Sequence, residues 1–323
     1  MKPEFAEVRT LFDRVSNIAI ISHLRPDGDA IGSLLGLARS LQLTGKRVTC
    51  VSVDGVPEKL RFLPGAGDIQ RKLPAEFDAL IVVDVSNFDR IGIPNERLPR
   101  KPDLNIDHHP TNTRFAVLNL VEPEASASAE ILYDLLLALG FPLDVDVATS
   151  LLTGMITDTI GFRTANVSAR TLKVAAELVE LGAPLSEIYE LSLYRRSFEA
   201  ARFWGLGLSK LERQDAMLWT TLTLNDRHRS SYPGRDDADL INMLTTIEDV
   251  EVTIVFVEQD GGKVKVSWRS RSELDVASLA DTFGGGGHHM AAGAIITGDL
   301  DSVKAKVLSA TKAVLDPVME MGK

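Results

Sequence analysis

Residues 17–43, NIAIISHLRPDGDAIGSLLGLARSLQL, contain the pattern that decides the fold class. The run NIAIIS (17–22) is short, apolar and rich in isoleucine, as is typical of a buried strand. After a polar loop, AIGSLLGLARSLQL (30–43) places apolar residues at helical spacing. A strand that leads through a short loop into a helix predicts one repeat of a parallel sheet with crossover helices.

The same kind of strand recurs through the first half of the chain. The further runs are RVTCVSV (47–53), ALIVVDV (79–85) and DLNID (103–107). Helical patterns then dominate from 125 to 193. Together these patterns predict an α/β domain built on a parallel sheet with flanking helices.

The pattern changes after Tyr194. Runs typical of strands follow at 217–224, 250–257 and 263–269. A chain of 323 residues also exceeds the roughly 250–300 at which a single core stops growing. We therefore predict a first domain at 1–192, a linker at 193–214 and a smaller α/β domain at 215–323.

Composition narrows the class of protein. With 45% hydrophobic and 25% charged residues the chain is ordinary for a globular protein. The first residues have no continuous apolar stretch, and runs such as ALIVV (79–83) are far shorter than the ~18 residues of a membrane span. We expect a cytoplasmic protein without a membrane segment. The single cysteine, Cys50, is expected to be buried in its strand.

The formal net charge of −10 argues against a protein that coats nucleic acid through a basic face. It leaves a phosphate substrate open, because bound divalent cations would make an acidic site locally neutral or positive. Aromatic residues make up only 6% of the chain, so the sequence shows no stacking track for long single strands.

Acidic and imidazole side chains follow three of the predicted strands. They are His23, Asp27 and Asp29 in SHLRPDGDAIGS, Asp84 in VVDVSN, and Asp107, His108 and His109 in NIDHHPTN (105–112). Because carboxyl ends of parallel strands line one edge of a sheet, these side chains are predicted to converge. Each motif alone has a simpler explanation, since an Asp after a strand often caps a helix, DGD is a common turn and a His pair often lies on the surface. Three such motifs at successive strand ends favour a metal site. Gly28 permits a tight turn that points Asp27 and Asp29 to different neighbours, which suits two metals.

These motifs, together with GMITDTIGFRT (154–164), resemble the four motifs of the DHH phosphoesterase superfamily. SWRSR (267–271) and GGGGHHMAAGA (284–294) resemble its C-terminal substrate-binding domain, DHHA1. The resemblance spans nearly the whole chain and is greatest to the compact bacterial group of oligoribonucleases and 3′-phosphoadenosine 5′-phosphate (pAp) phosphatases. It implies an N-terminal DHH domain, a C-terminal DHHA1 domain and an active site in the cleft between them.

The resemblance also implies two Mn²⁺ ions per chain. His23 and Asp27 would bind one, Asp29, His108 and Asp158 the other, and Asp84 would bridge them. Mixed imidazole and carboxylate ligands favour a transition metal over Mg²⁺, although Mg²⁺ and Co²⁺ stay open. For Asp158, within a helical pattern, only the resemblance points to a ligand. Two such ions would activate a water molecule for attack on phosphate.

Five further positions receive substrate roles from the resemblance. They are Arg269, Gly285, Gly286, Gly287 and His288. Consecutive glycines let backbone N–H groups converge on an anion, and the two charged side chains would bind a terminal phosphate. A glycine run can also be a flexible linker, but the flanking helical and apolar patterns favour a folded turn.

The remaining motif residues, Asp107 and His109, are expected in the catalytic centre. His109 would face the substrate phosphate, as a hydrogen-bond donor or as the acid for the leaving oxygen. Asp107 would orient His108 or fix the loop, and a purely structural role is equally consistent with the pattern.

The implied activity is Mn²⁺-dependent hydrolysis of short RNAs from the 5′ end and dephosphorylation of pAp to AMP. One alternative is hydrolysis of cyclic di-AMP or of linear pApA. Another alternative is a nucleotide-binding sensor without catalysis. The complete set of metal-binding residues argues against it. The sequence leaves open whether the protein forms a homodimer and which residue stacks on a base.

Overall fold

The computed structural model describes residues 2–94, 98, 100–271 and 274–321. The chain divides into two compact units, Met1–Arg195 and Arg196–Lys323. Each unit has its own sheet, so the predicted α/β class with a parallel sheet followed by a second α/β unit is confirmed. Within the described part of the chain, no helix is both long and apolar enough to cross a membrane.

The first unit contains a five-stranded sheet in the order β2-β1-β3-β4-β5, with all pairs parallel. Its strands are β1 (Asn17–Ile21), β2 (Arg47–Val51), β3 (Ala79–Val83), β4 (Leu104–Asp107) and β5 (Leu118–Val121). Its helices are α1 (Pro3–Arg14), α2 (Gly28–Leu43), α3 (Ser128–Leu139), α4 (Val145–Asp158), α5 (Ala169–Glu180) and α6 (Leu185–Tyr189), after which Glu190–Tyr194 is a π-helix. Of these strands only β5 was not predicted.

Both faces of this sheet are covered. Along β1, Ile18 and Ile20 belong to one apolar cluster with the helices, whereas Ala19 and Ile21 belong to a second cluster on the opposite face. Burial on both faces explains why the strands are continuous apolar runs without polar alternation. Cys50 in β2 is buried, as predicted.

The second unit contains a mixed six-stranded sheet in the order β10-β11-β9-β8-β7-β6. Its strands are β6 (Glu212–Gln214), β7 (Met217–Leu222), β8 (Val252–Gln259), β9 (Lys263–Ser270), β10 (Gly286–His288) and β11 (Ala291–Thr297). Its helices are α7 (Phe198–Leu208), α8 (Leu224–Ser230), α9 (Leu240–Leu244), α10 (Val276–Asp281) and α11 (Leu300–Met321). The residues assigned to a linker, 193–214, include α7 and β6 of this unit.

Side chains that alternate along the central strands of the second sheet pack into two apolar cores. Ile254 and Phe256 of β8 lie in one apolar cluster with α10 and α11, whereas Val255 and Val257 lie in another with α7 and α9. Only β7 and β8 pair in parallel among these strands. The register of β8 and β9 places Arg269 on the same face of the sheet as Val255. This is the face that packs against α7 and α9.

Candidate metal centre

His23 lies just beyond the carboxyl end of β1 and is buried. Its Nδ1 donates a 2.8 Å hydrogen bond to the carbonyl oxygen of Leu24, which fixes the ring. Its Nε2 then lies 3.3 Å from Oδ2 of Asp84 and 3.8 Å from Oδ1 of Asp27. The histidine therefore presents one nitrogen to two carboxylates.

The carboxylate of Asp27 caps a helix and also contacts a histidine. As the N-cap of α2 it accepts hydrogen bonds from the backbone N–H groups of Asp29 and Ala30, so the capping explanation of this motif is correct. The same carboxylate approaches His23 and is more than half exposed. Helix capping thus holds a carboxylate at the edge of the site.

Asp84 follows β3 in the left-handed conformation, with φ of 58°. This conformation is uncommon outside glycine, although Asp tolerates it better than most residues. Oδ2 of Asp84 faces His23, whereas Oδ1 lies 3.8 Å from Nε2 of His108 and accepts a 3.0 Å hydrogen bond from Ser128. Its two oxygens therefore face different histidines, the arrangement that a bridging carboxylate needs.

His108 is oriented by the main chain, because its Nδ1 lies 3.3 Å from the carbonyl oxygen of Ala125. Its Nε2 lies 3.5 Å from Oδ2 of Asp158 at the end of α4. Asp29 forms a group with these two residues, and the possible ligand atoms of Asp29, His108 and Asp158 all lie within 4.8 Å of one another.

Asp29 is held by the N-terminus of α3. The backbone N–H groups of Ser128 and Ala129 donate to its two oxygens at 2.6 and 3.0 Å, and Ser33 donates from within α2. A helix N-terminus stabilises an anion through these unpaired N–H groups and its dipole. The sequence patterns did not indicate this contact between α2 and α3.

Glycines explain how Asp158 comes near Asp29. Gly28, Gly32 and Gly36 recur at four-residue spacing on one face of α2, and Gly154 faces them from α4. A Cβ atom on Gly32 would lie 2.3 Å from the carbonyl oxygen of Ser150, and one on Gly154 would lie 2.7 Å from Oδ1 of Asp29. The two helices therefore touch backbone to backbone. This regular glycine spacing is a sequence signal for Asp158 that the motifs alone did not supply.

Asp107 is fully buried and accepts a 2.7 Å hydrogen bond from Nδ1 of His109. Its other oxygen accepts a hydrogen bond from Asn112, which also donates to the carbonyl oxygen of Val85. Of the two roles predicted for Asp107, the structure favours fixing the loop. The side chain that Asp107 orients is His109, whereas the carbonyl oxygen of Ala125 orients His108.

Arg90 is a further residue of this site that sequence reasoning missed. It lies in a 3₁₀ turn after β3, with Nη2 3.2 Å from Nδ1 of His23. Its backbone carbonyl accepts a 2.7 Å hydrogen bond from Leu24. A permanent cation thus lies at the edge of an otherwise acidic cluster.

The pKa shifts show how much negative charge is concentrated here. Burial and the charge of Asp84 raise the pKa of Asp29 to about 7, and burial together with Asp29 raises the pKa of Asp158 well above its usual range. Burial lowers the pKa of His23, but hydrogen bonding and charge from Asp27 and Asp84 outweigh it and raise that pKa to about 10. The carboxylates of Asp27, Asp29, Asp84 and Asp158 thus repel one another, and divalent cations would relieve that repulsion.

The donor set fits transition-metal ions. Three overlapping groups have ligand atoms within 4.8 Å of one another: His23, Asp27 and Asp84; Asp29, His108 and Asp158; and Asp84, His108 and His109. Asp84 and His108 each occur in two groups, as expected where two neighbouring ions are bound by shared residues. Nitrogen and carboxylate donors in combination suit Mn²⁺ or a similar ion.

In the second unit, β10 and β9 lie on either side of β11. His288 pairs with Ala291, which pairs in turn with Arg269, so the three Cα atoms form one row across the sheet. Arg269 is half-buried and donates to the carbonyl oxygen of Trp268. The side chain of His288 lies outside the described part of the structure.

The glycine run differs from the predicted turn. Gly286 and Gly287 belong to the edge strand β10, and the N–H of Gly285 donates to the carbonyl oxygen of Ala280, contrary to the expectation that it meets an anion. A Cβ atom on Gly285 would lie 2.3 Å from the carbonyl oxygen of Gly293, and one on Gly287 would lie 2.4 Å from that of Ala291. Close approach of β11 is therefore a structural reason for glycine at both positions.

Comparisons with known proteins agree with this geometry. Residues 17–155 match the model of the DHH family N-terminal domain, and residues 231–315 match the DHHA1 domain. The protein named bifunctional oligoribonuclease and PAP phosphatase NrnA from Thermus thermophilus is 37% identical over 92% of this chain and 90% of its own length. The protein of the same name from Bacillus subtilis is 29% identical over 92% and 93%.

Among solved structures, an exopolyphosphatase-related protein from Bacteroides fragilis has a TM-score of 0.91 at 26% identity, covering 99% of this chain and 98% of that one. Both domain models thus match in order, and the similarity to relatives extends over nearly the full length. The chain therefore belongs to the DHH/DHHA1 phosphoesterase family.

Proposed function

We propose that this protein is a Mn²⁺-dependent phosphoesterase that hydrolyses short RNAs from the 5′ end and dephosphorylates pAp to AMP. The observation that carries the proposal is Asp84, whose two buried oxygens face His23 and His108 at the centre of the acidic cluster. The choice of substrates is supported by the names of the two relatives and their full-length similarity.

In this proposal His23 and Asp27 hold one ion, Asp29, His108 and Asp158 hold the second, and Asp84 is shared. When bound, such ions act as Lewis acids and lower the pKa of water to near neutrality. Hydrogen bonds from their Nδ1 atoms to the carbonyl oxygens of Leu24 and Ala125 keep the rings of His23 and His108 oriented. The N-terminus of α3 orients Asp29.

His109 has a different role. Its ring, held by buried Asp107, donates a hydrogen bond to a phosphate oxygen or a proton to the leaving oxygen. Burial lowers the pKa of His109, but the hydrogen bond to Asp107 and the charge of Asp84 raise it overall. The hydrogen bond from Nδ1 to Asp107 leaves Nε2 as the ring nitrogen that can meet the substrate. Arg90 adds a fixed positive charge beside this centre.

Residues of the second unit bind the rest of the substrate in this proposal. Arg269 and His288 contact a terminal phosphate, and Gly286 and Gly287 lie beside it on the edge strand. The shared row of Arg269 and His288 across β9, β11 and β10 supports this assignment.

The test is a substrate panel for the full chain stripped of metal and then reloaded with Mn²⁺, Mg²⁺ or Co²⁺. The substrates are pAp, pApA, cyclic di-AMP and RNAs from about 2 to about 24 nucleotides, a range that brackets single-strand site sizes. We expect Mn²⁺-dependent release of AMP from pAp and of mononucleotides from the shortest RNAs, with activity falling as length increases. Turnover of cyclic di-AMP alone would support the alternative phosphodiesterase. Metal binding without turnover of any substrate would indicate a sensor.

A further inference from the structure

Two tyrosines of the first unit, Tyr189 and Tyr194, form a stacked pair beside the segment that follows Asp158. The rings of Tyr189 and Tyr194 lie 6.0 Å apart between centroids, with an angle of 16° between their planes. Tyr189 is half-buried, whereas 72% of Tyr194 is exposed. The pair therefore offers an open aromatic face supported from behind by a second ring.

A π-helix creates this stack. In an α-helix, residues five apart are rotated by about 140° from each other, so their side chains do not meet. Residues Glu190–Tyr194 instead form a π-helix, closed by a 2.6 Å hydrogen bond from the N–H of Arg195 to the carbonyl oxygen of Glu190. The wider turn aligns Tyr189 with Tyr194. Such π-helical segments are rare and occur frequently at functional sites.

Tyr189 packs against the segment that follows Asp158. A Cβ atom on Gly161 would lie 2.9 Å from Cε1 of Tyr189, so the ring rests directly on the glycine backbone. Gly161 is three residues after Asp158, and a three-residue span is at most about 10 Å. Tyr189 thus packs against a stretch of chain that begins at a proposed metal ligand.

That stretch has an unusual conformation. Ile160, Gly161 and Phe162 all have φ between 50° and 75°. A positive φ is strained for a β-branched residue such as Ile160, and strain of this kind is concentrated at functional sites. Hydrogen bonds from the N–H of Gly161 to the carbonyl oxygen of Ile156 and from the N–H of Phe162 to Oγ1 of Thr159 hold it in place. These hydrogen bonds fix the backbone of Gly161, on which the ring of Tyr189 rests.

We propose that Tyr194, supported by Tyr189, is the platform on which a nucleobase of the substrate stacks. The inference rests on the proposed function, since it specifies how a nucleotide substrate is bound there. An exposed aromatic face recognises any base without regard to sequence, which suits an enzyme that degrades short RNAs of mixed composition. Single exposed aromatic residues are common on protein surfaces, but this one combines a supporting ring, a π-helix and a strained link to the site.

The experiment compares Tyr194→Ala, Tyr194→Phe and the matched control Phe198→Ala, which removes another aromatic ring of nearly equal exposure, 73%. The substrates are pApA and two analogues in which one of the bases is replaced by hydrogen. For Tyr194→Ala we expect KM for pApA to rise by about 5- to 150-fold, equivalent to the ~1–3 kcal/mol of one stacked base. Tyr194→Phe and Phe198→Ala should stay within about twofold of the wild type, and the defect should disappear on the analogue that lacks the stacked base.

Binding gives a readout that needs no turnover. A pAp analogue with 2-aminopurine as its base should lose fluorescence on binding the wild type, because the base stacks on tyrosine, and keep it with Tyr194→Ala. Equal losses on pApA and both abasic analogues, or unchanged quenching in Tyr194→Ala, would overturn the platform. If the wild type hydrolyses no nucleotide but quenches the probe through Tyr194, the proposed function fails and the platform stands. If it neither hydrolyses nor quenches, both fail.

Discussion

The buried carboxylate of Asp107 accepts a 2.7 Å hydrogen bond from Nδ1 of His109, the residue two positions further along the same strand end. Two adjacent histidines thus have different supports, since the neighbouring His108 is oriented by the carbonyl oxygen of Ala125. A carboxylate orients a ring and also stabilises its protonated form, whereas a backbone carbonyl mainly fixes the tautomer. This difference agrees with a ligand role for His108 and a proton-donor role for His109.

Asp107→Asn should therefore reduce the catalytic contribution of His109 more than it reduces metal binding. Loss of the buried charge lowers the pKa of His109 and weakens its orientation, and we expect kcat to fall by about 10- to 100-fold, as for other residues that orient groups of a metal site. Metal content should remain near that of the wild type. Steady-state kinetics and metal analysis on the same preparation check this, and loss of metal in parallel with kcat would show that Asp107 supports the ligands instead.

Asp84→Asn should remove at least one metal ion per chain. The amide keeps the shape but carries no charge between the two proposed ions, and we expect turnover to fall by more than ~100-fold while the protein stays folded. Metal stoichiometry, thermal unfolding and turnover are the measurements. Asp260→Asn, at the exposed turn between β8 and β9, is the matched control and should change none of them. Two ions per chain in active Asp84→Asn would contradict the bridging role.

Gly154→Ala should damage both the fold and the metal centre. The added methyl would lie 2.7 Å from Oδ1 of Asp29 and 2.8 Å from Cβ of Ala129, so α4 must shift, at a cost of about 1–3 kcal/mol in the free energy of unfolding. Mn²⁺ affinity should weaken because Asp29 and Asp158 move apart.

Gly205→Ala provides the contrast for that substitution. Gly205 lies within α7, and a methyl group added there would meet nothing within 4 Å, so alanine should stabilise the protein by roughly 0.5–1 kcal/mol. Urea unfolding of both variants measures the two free energies, and Mn²⁺ titration measures the affinity. Equal stability of the two variants would argue against close helix contact at Gly154.

Arg269→Ala should separate substrate binding from chemistry. If the guanidinium binds a terminal phosphate, kcat/KM for dinucleotides should fall by an amount equivalent to ~2–4 kcal/mol, while metal content stays constant. A minimal ester such as bis-p-nitrophenyl phosphate should be hydrolysed at nearly the wild-type rate. Arg213→Ala, which removes an exposed arginine of β6 in the same sheet, is the control. Equal losses on dinucleotide and minimal ester would place Arg269 at the chemical step.

Much of this protein follows from local pattern. Short β-branched runs alternating with helical spacing indicate a parallel sheet, because strands buried on both faces must be apolar throughout. The same logic placed His23, Asp84 and His108 near one another, because parallel strands end at one edge of their sheet. The short strands β6 and β10 were not predicted, since three residues carry too little periodicity to be recognised.

Contacts between residues distant in sequence required the tertiary structure. The hydrogen bonds from the N-terminus of α3 to Asp29 join positions about a hundred residues apart, and the approach of α4 to α2 depends on glycines whose effect is visible only when both helices are placed. The stack of Tyr189 on Tyr194 depends on a π-helix that no local propensity specifies. The sequence alone thus determined which residue types gather at the sheet edge. Only the tertiary structure decided which atoms face each other, because those distances are set by helix packing and backbone hydrogen bonds across the whole unit.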